Sequence, residues 1–511
     1  MTEPQPITIE PMDEHNRLLR DRVRPSDWRN PEPEPMYNML VIGGGTAGLI
    51  TSIVAAGLGA KVALLERHLM GGDCLNVGCV PSKCIISSSR VAAAFRDATR
   101  YGIAAREPEV DFAAVMERLR RLRAGISEVD SARRFKEHGV DVFLGEGIFK
   151  NAHAVEVDGR LLRFRKAAIA TGAHTAAIPI EGLEEAGYLT NENVFSLTKR
   201  PARLAVIGAG PIGCELAQAF RRLGSEVAVL EVMNQALGRE DPDAAEIVQR
   251  KMEAEGVRFI FNCAIRRVAS ESGTRTLYIE AGGREESIAV DEILIGAGRK
   301  PNVEGMNLEG IGVEFDPRTG VKVNDHLQTT VPHIYAAGDV CMAWKYTHAA
   351  DVTAQIVVQN SLFSVGPFGK RKLSGAVMPW ATYTEPEVAH VGLYEQEAKD
   401  KGLEVETFIQ RFDEVDRAIV DGEEDGFVKV HTRKGSDKIL GATIVAKNAG
   451  DMISEVTVAM VNGLGLKAIA ATIHPYPTQA DALKKVAVQY NKTRLKPWVA
   501  KVLRDWMSFR R

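Results

Sequence analysis

The sequence predicts an α/β fold: two copies of a strand–glycine loop–helix–strand unit, then a separate α+β region. Three observations carry this. The run Asn38-Met-Leu-Val-Ile42 is short and apolar and ends on Gly43-Gly-Gly-Thr-Ala-Gly48, as a buried strand entering a turn does. Arg203-Leu-Ala-Val-Ile207 enters Gly208-Ala-Gly-Pro-Ile-Gly213 in the same way. A helical pattern follows each loop, to Gly59 and through Leu223, and a second strand (61–66 and 226–231) then ends on glutamate. Gly43 to Glu66 and Gly208 to Glu231 both span 23 positions, which marks an internal duplication. Past residue 370 the texture changes to strand-like runs at 404–411, 426–431 and 439–446 before an apolar helix at 451–462, a separate α+β unit.

Each glycine has a distinct task. Gly43 and Gly208 make the tight turn, Gly45 and Gly210 let the backbone approach a pyrophosphate, and Gly48 and Gly213 let helix and strand pack closely. Helix amides then face the phosphates. Glu66 and Glu231 stand where an acid accepts hydrogen bonds from the adenosine ribose. Two dinucleotides follow, one FAD and the other a nicotinamide. Glu231 would repel a 2′-phosphate, and no arginine occurs among Val232, Met233, Asn234 and Gln235, so NADH is expected over NADPH; Arg239 lies eight positions on.

The 511 residues suffice for several cores, and a net charge of −3 gives no reason to expect nucleic acid as a partner. No run of about 18 apolar residues suggests a membrane span. Residues 1–36 hold seven prolines among interleaved charges and read as an arm with little regular structure, not a secretory signal. Six cysteines are too few for a disulfide scaffold, so a cytoplasmic compartment is expected, where a disulfide is redox-active rather than structural.

The chemistry lies in Gly71-Gly-Asp-Cys-Leu-Asn-Val-Gly-Cys-Val-Pro-Ser-Lys83. Cys74 and Cys79 sit at a glycine-flanked helix start, where the helix N-terminus and Lys83 stabilise a thiolate. Such a dithiol stores two electrons as a disulfide and passes them on by exchange.

With these motifs the sequence resembles the FAD-dependent pyridine nucleotide–disulfide oxidoreductases, the group of glutathione reductase, dihydrolipoamide dehydrogenase and mercuric reductase. The resemblance covers about residues 37–490. It extends to Ile169-Ala-Thr-Gly-Ala173, Ile295-Gly-Ala-Gly-Arg-Lys-Pro-Asn302, Thr329-Thr-Val-Pro-His-Ile-Tyr-Ala-Ala-Gly-Asp-Val340 and the stretch from Pro379 to Leu393. It implies an FAD domain (37–190 and 311–370), an NAD(P) domain (191–310) and a homodimer-forming domain (371–490). It also implies that Gly43, Gly45, Gly48, Glu66, Gly147, Gly172 and Asp339 hold FAD, and that Gly208, Gly210, Gly213, Glu231 and Gly298 serve the dinucleotides. Lys83, paired with Glu215, would sit near the flavin. Cys79 would face the flavin, and Cys74 would exchange with substrate. Electrons would pass from NAD(P)H through FAD to a Cys74–Cys79 disulfide and on to a disulfide or a metal ion.

Several places depart from the family pattern. In His474-Pro-Tyr-Pro-Thr-Gln-Ala-Asp481, Tyr476 and Asp481 replace the histidine and glutamate of glutathione and lipoamide reductases. A tyrosine with a pKa near ~10 is a poor base at pH 7; His474, two positions away, reads as a capping or packing residue, with proton transfer in place of Tyr476 as the alternative. Mercuric reductase carries a tyrosine at the corresponding place, yet this chain has no cysteine after Cys341 and none in residues 1–36. Pro211 also stands where a tyrosine often covers the nicotinamide pocket. The resemblance is therefore to a mercuric reductase-like branch, with Cys74 and Cys79 as transient Hg(II) ligands. A dihydrolipoamide dehydrogenase is the alternative, and a non-catalytic flavoprotein binding module the third reading.

Residues 491–511 carry seven basic residues against Asp505, with Trp498, Val502 and Trp506 at helical spacing. This tail is expected to pack on the protein's own body, with peripheral membrane or partner contact as the alternative.

Overall fold

The computed structural model describes residues 9–366 and 368–511. Its first sheet has four parallel strands in the order Val140–Leu144, Val62–Glu66, Tyr37–Ile42 and Arg160–Ile169. Ile334–Ala336 adds a fifth parallel strand beside Arg160–Ile169, which also pairs antiparallel with Ala154–Val157. Met39, Leu40 and Val41 are all fully buried, because layers cover both faces of this sheet. That burial explains the unbroken apolar run. Helix Thr46–Gly57 packs against helix Thr347–Val358 on one face.

A second parallel sheet, ordered Val257–Ile260, Glu226–Leu230, Arg203–Ile207 and Glu292–Ile295, forms between the two contributions to the first. The third glycine of each loop is required by close approach. A Cβ on Gly48 would lie 1.8 Å from the carbonyl oxygen of Gly43, and one on Gly213 would lie 2.0 Å from that of Gly208. The C-terminal unit is a five-stranded antiparallel sheet, ordered Pro379–Thr382, Glu387–Gly392, Ile439–Ala446, Phe427–Arg433 and Val405–Arg411. Helix Ala449–Val461 lies on it. No helix among the described residues is long and apolar enough to cross a membrane.

Two expectations are corrected. Within the N-terminal extension, residues 1–8 lie outside the described residues, but helix Glu14–Val23 is regular and packed, with Leu19 and Val23 fully buried. Asp13 caps it by accepting from the amide of Asn16 at 2.9 Å. The interleaved charges that suggested a loose arm are matched by distant partners. Arg120 Nε donates to Asp13 at 2.5 Å, and Arg24 donates to the carbonyls of Arg67 and His68 at 2.8 and 2.7 Å.

The second correction concerns the C-terminal tail. It forms helix Pro497–Phe509, as the spacing predicts, yet none of its residues is buried. Among the described residues it buries none of its side chains against the body of its own chain.

Candidate active site

Cys74 lies in the short helix Gly72–Asn76, and Cys79 begins the long helix Cys79–Asp97 after Gly78. Both thiols are free. Interaction with the neighbouring Cys74 thiol is the main cause that pulls the Cys79 thiol down to about 6; the Thr347 hydroxyl and the Lys83 charge add to it. The Thr347 oxygen lies 3.2 Å from Cys79 Sγ. Cys74 moves the opposite way: the same interaction, then burial, push its thiol up. The two cysteines therefore share one proton as a pair, with negative charge favoured at Cys79 beside Thr347 and Lys83.

Lys83 stands one helical turn after Cys79. Its Nζ donates to Glu215 Oε2 at 2.7 Å. Glu215 is buried on helix Pro211–Arg222, and its other oxygen accepts from the backbone amide of Tyr383 at 2.9 Å. The Lys83 ammonium lies 4.4 Å from the centre of the Tyr383 ring. One carboxylate thus ties the helix that begins at Cys79, the second glycine helix and the C-terminal unit together.

The cofactor loops have an acceptor and a donor side. Glu66 is buried with Oε2 accepting from the Gly44 amide and Oε1 from the His68 amide, both at 2.6 Å. Burial pushes its carboxyl up. Glu231 repeats the pattern, accepting from the amides of Ala209 at 2.7 Å and Met233 at 2.9 Å. The helices after both loops start at Gly45 and Gly210 without any side-chain cap, so their first amides are free to meet phosphate. A Cβ at Gly210 would meet open space, and one at Gly45 only Gly72 Cα at 3.6 Å.

Asp339 is largely buried, which pushes its carboxyl up. Arg299 contacts Asp73 directly, donates to the Ala173 carbonyl at 2.7 Å and holds Nε 3.6 Å from Asp339. That Nε is buried without a hydrogen-bond partner among the described residues. An orphaned cationic donor beside a buried acid, a buried ribose-type carboxylate and an uncapped helix start fit FAD. Gly147 lies against Leu65, Gly172 faces open space, and Gly298 approaches Ala176.

Tyr476 and Asp481 lie elsewhere. Tyr476 is 73% exposed and donates its hydroxyl to Asp416 at 2.9 Å. Asp481 opens helix Asp481–Thr493, 3.9 Å from Lys485. Neither bonds to the cysteines of its own chain among the described residues. His474 is held by Glu455 at 2.9 Å and by the Thr472 carbonyl at 3.2 Å. Sequence reasoning assigned no role to Thr347, Tyr383, Arg299 or Asp73. The last three lie inside the quoted motifs, whereas Thr347 carries no local signal.

The Glu231 geometry sets the nicotinamide expectation. Val232 and Met233 are exposed beside it, 72% and 55%, where a 2′-phosphate would need cations. NADH should exceed NADPH in kcat/KM by at least about tenfold, or ~1.4 kcal/mol. Glu231→Ala should narrow that ratio. Equal kcat/KM values for the two nucleotides in the unaltered protein would refute the expectation.

The pyridine nucleotide-disulphide oxidoreductase family model matches residues 37–354, and the model of its dimerisation domain matches residues 378–487. The chain is 35% identical over 459 residues to a mercuric reductase of Lysinibacillus sphaericus, covering 90% of this chain and 83% of that one. It is 34% identical over 472 residues to the mitochondrial dihydrolipoyl dehydrogenase of Dictyostelium discoideum, covering 89% and 94%. Among solved structures, the Cu(II) complex of an HOCl-induced flavoprotein disulfide reductase from Escherichia coli matches with a TM-score of 0.77 and 25% identity, covering 88% of this chain and 99% of that one.

Proposed function

The chain belongs to the pyridine nucleotide-disulphide oxidoreductases, FAD enzymes that use NAD(P)H, and from that premise we propose that its Cys74–Cys79 pair reduces a soft, thiophilic acceptor, of which Hg(II) is the type. Bound FAD would carry the electron pair from the nicotinamide to the two cysteines. Arg299, Asp339 and Glu66 would hold it, and Lys83, steadied by Glu215, would place a positive charge at its reacting edge.

The environment of Tyr476 carries this reading. Turnover of a disulfide needs a proton for each leaving thiolate, usually from a group titrating near neutrality. The hydrogen bond to Asp416 pushes the Tyr476 hydroxyl above its ordinary value, so it is a weak acid and no base at pH 7. His474 is engaged at both ring nitrogens. A metal ion asks for less. The pair ligates Hg(II) with release of the Cys74 proton, the electron pair supplied by the nicotinamide reduces the ion, and the neutral metal leaves as that single proton returns.

A second copy completes the site. Val458, Val461 and Ile473 are 60%, 63% and 90% exposed on the dimerisation unit. Pairing through this apolar surface in a homodimer would bring Tyr476 and Asp481 to the cysteines of the other subunit.

The near-equal identity to dihydrolipoyl dehydrogenase supports lipoamide as the second reading. Anaerobic enzyme reduced with NADH and offered Hg(II), oxidised lipoamide and oxidised glutathione separates the two. Catalytic discharge by Hg(II) with Tyr476→Phe impaired supports the proposal. Turnover of lipoamide at the higher kcat/KM assigns the enzyme to the alternative.

The Cys79 thiolate also sets a pH dependence. Its folded value, about 6, lies below the ordinary 9.0. The ionised form therefore stabilises the reduced protein fully at high pH, and that contribution fades as pH falls from 9 to 6. Cys74, shifted upward, works in the opposite sense only above its own ordinary value. Alkylation of Cys79 by iodoacetamide, read by peptide mass, should show a midpoint near pH 6. A midpoint near 9 would show that Cys79 is an unactivated thiol.

A further inference from the structure

We propose that helix Pro497–Phe509 is an interfacial anchor that lays its apolar face into an anionic lipid surface and docks the enzyme there peripherally. The first ground is what the helix leaves uncovered. Trp498 is 67% exposed, Trp506 53% and Phe509 82%, with Val502, Leu503 and Met507 also exposed. No residue of the helix is buried. An α-helix turns 100° per residue, so these six side chains share one broad face. Lys501, Arg504 and Ser508 occupy the opposite face, and the cap residue Arg510 follows beside Trp506.

The second ground is charge. The whole chain carries −3, yet residues 491–511 hold seven basic residues against Asp505. A lipid surface of negative charge therefore attracts this segment and repels the rest, which orients the protein as well as binding it. Long basic side chains reach from the helix flank to headgroups while aromatic rings sit at the boundary. The Arg510 guanidinium already lies 5.9 Å from the Trp506 ring centre, the arrangement of a charge resting beside an interfacial aromatic. Thirteen residues are too short to cross a bilayer, which takes about 20. The geometry thus favours lying in the interface over spanning it.

The test uses the full-length FAD-loaded protein and vesicles of phosphatidylcholine with or without phosphatidylglycerol. Sedimentation with the anionic vesicles should be at least about tenfold tighter than with neutral ones and should weaken with added salt. Tryptophan emission should shift to the blue on binding. The pair Trp498→Ala and Trp506→Ala should lose binding, and Lys501→Glu with Arg504→Glu should lose it by tenfold or more. A chain ending at Arg494 should stay in the supernatant with its sedimentation coefficient and NADH turnover otherwise unchanged. Absence of vesicle binding overturns the proposal. So does a truncated chain that loses its oligomeric state, which would show that a second copy covers the helix. Equal binding to neutral vesicles overturns the assignment of an anionic surface.

Discussion

Cys79→Ser should lower acceptor turnover by at least about a thousandfold, since the pair stores electrons only as a disulfide and removing one member of a cooperating set costs that much or more. The reason is specific to this pair. Cys79 gathers the influence of the Cys74 thiol, the hydroxyl of Thr347 and the charge of Lys83, which together favour the thiolate there. Cys74, pushed up by the same interaction and by burial, cannot substitute for it. Cys74→Ser and Cys74→Ala should both abolish turnover but differ in what they do to the surviving thiol. Serine still donates a hydrogen bond, so the Cys79 midpoint should stay near 6. Alanine removes a donor to a charged acceptor, about 1.5–3 kcal/mol, so the midpoint should rise by roughly one pH unit or more. Stopped-flow turnover and pH-dependent alkylation measure the two effects separately. Identical Cys79 midpoints in the serine and alanine variants would show that the hydrogen bond is not what activates Cys79.

Arg299→Met should produce the other large effect, a loss of FAD retention on the order of a hundredfold. Arg299 stands between Asp73 and Asp339 with little solvent around it. Removing one member of a buried ionic cluster leaves the others uncompensated, at a cost of about 3 kcal/mol. If that cost falls on cofactor binding, it corresponds to roughly two decades in Kd. Asp73 adjoins Cys74, so the same change should also disturb the redox helix. Arg299→Lys restores charge without the planar fork and should recover part of the loss. FAD release measured by fluorescence, alongside Tm with and without added FAD, distinguishes a cofactor effect from simple unfolding. Retention of FAD in the methionine variant at the unaltered Kd would remove Arg299 from the cofactor site.

Much of the protein was legible because its signals are local. The two glycine loops repeat at fixed spacing. Strand 203–207 begins and ends where the apolar run does, and strand 439–446 likewise. The cysteine pair, Lys83 and the helix that begins at Cys79 lie within a dozen residues, so backbone geometry alone relates them.

The misread segments show where local signals fail. The interleaved charges of residues 9–36 look like a solvated arm until their partners are found. Asn16, with the rest of its segment, serves a distant group: Arg123 donates to its side-chain oxygen at 2.8 Å and to the carbonyl of Asn76, beside the redox helix, at 2.6 Å. The tail has a clear helical pattern, but whether its apolar face meets the body depends on surfaces hundreds of residues away.

By itself the sequence determined the duplicated dinucleotide units, the redox pair and the α+β unit that follows, because strand periodicity, glycine turns and one-turn helical spacing are properties of short stretches of chain. Beyond the Lys83–Glu215 pair that the resemblance implied, only the tertiary structure decided which partners the buried charges meet. The Glu215–Tyr383 bond joins residues 168 positions apart, and Arg299 reaches Asp73 across 226. Those pairings depend on how the sheets pack, and a buried charge is tolerable only where that packing supplies its partner.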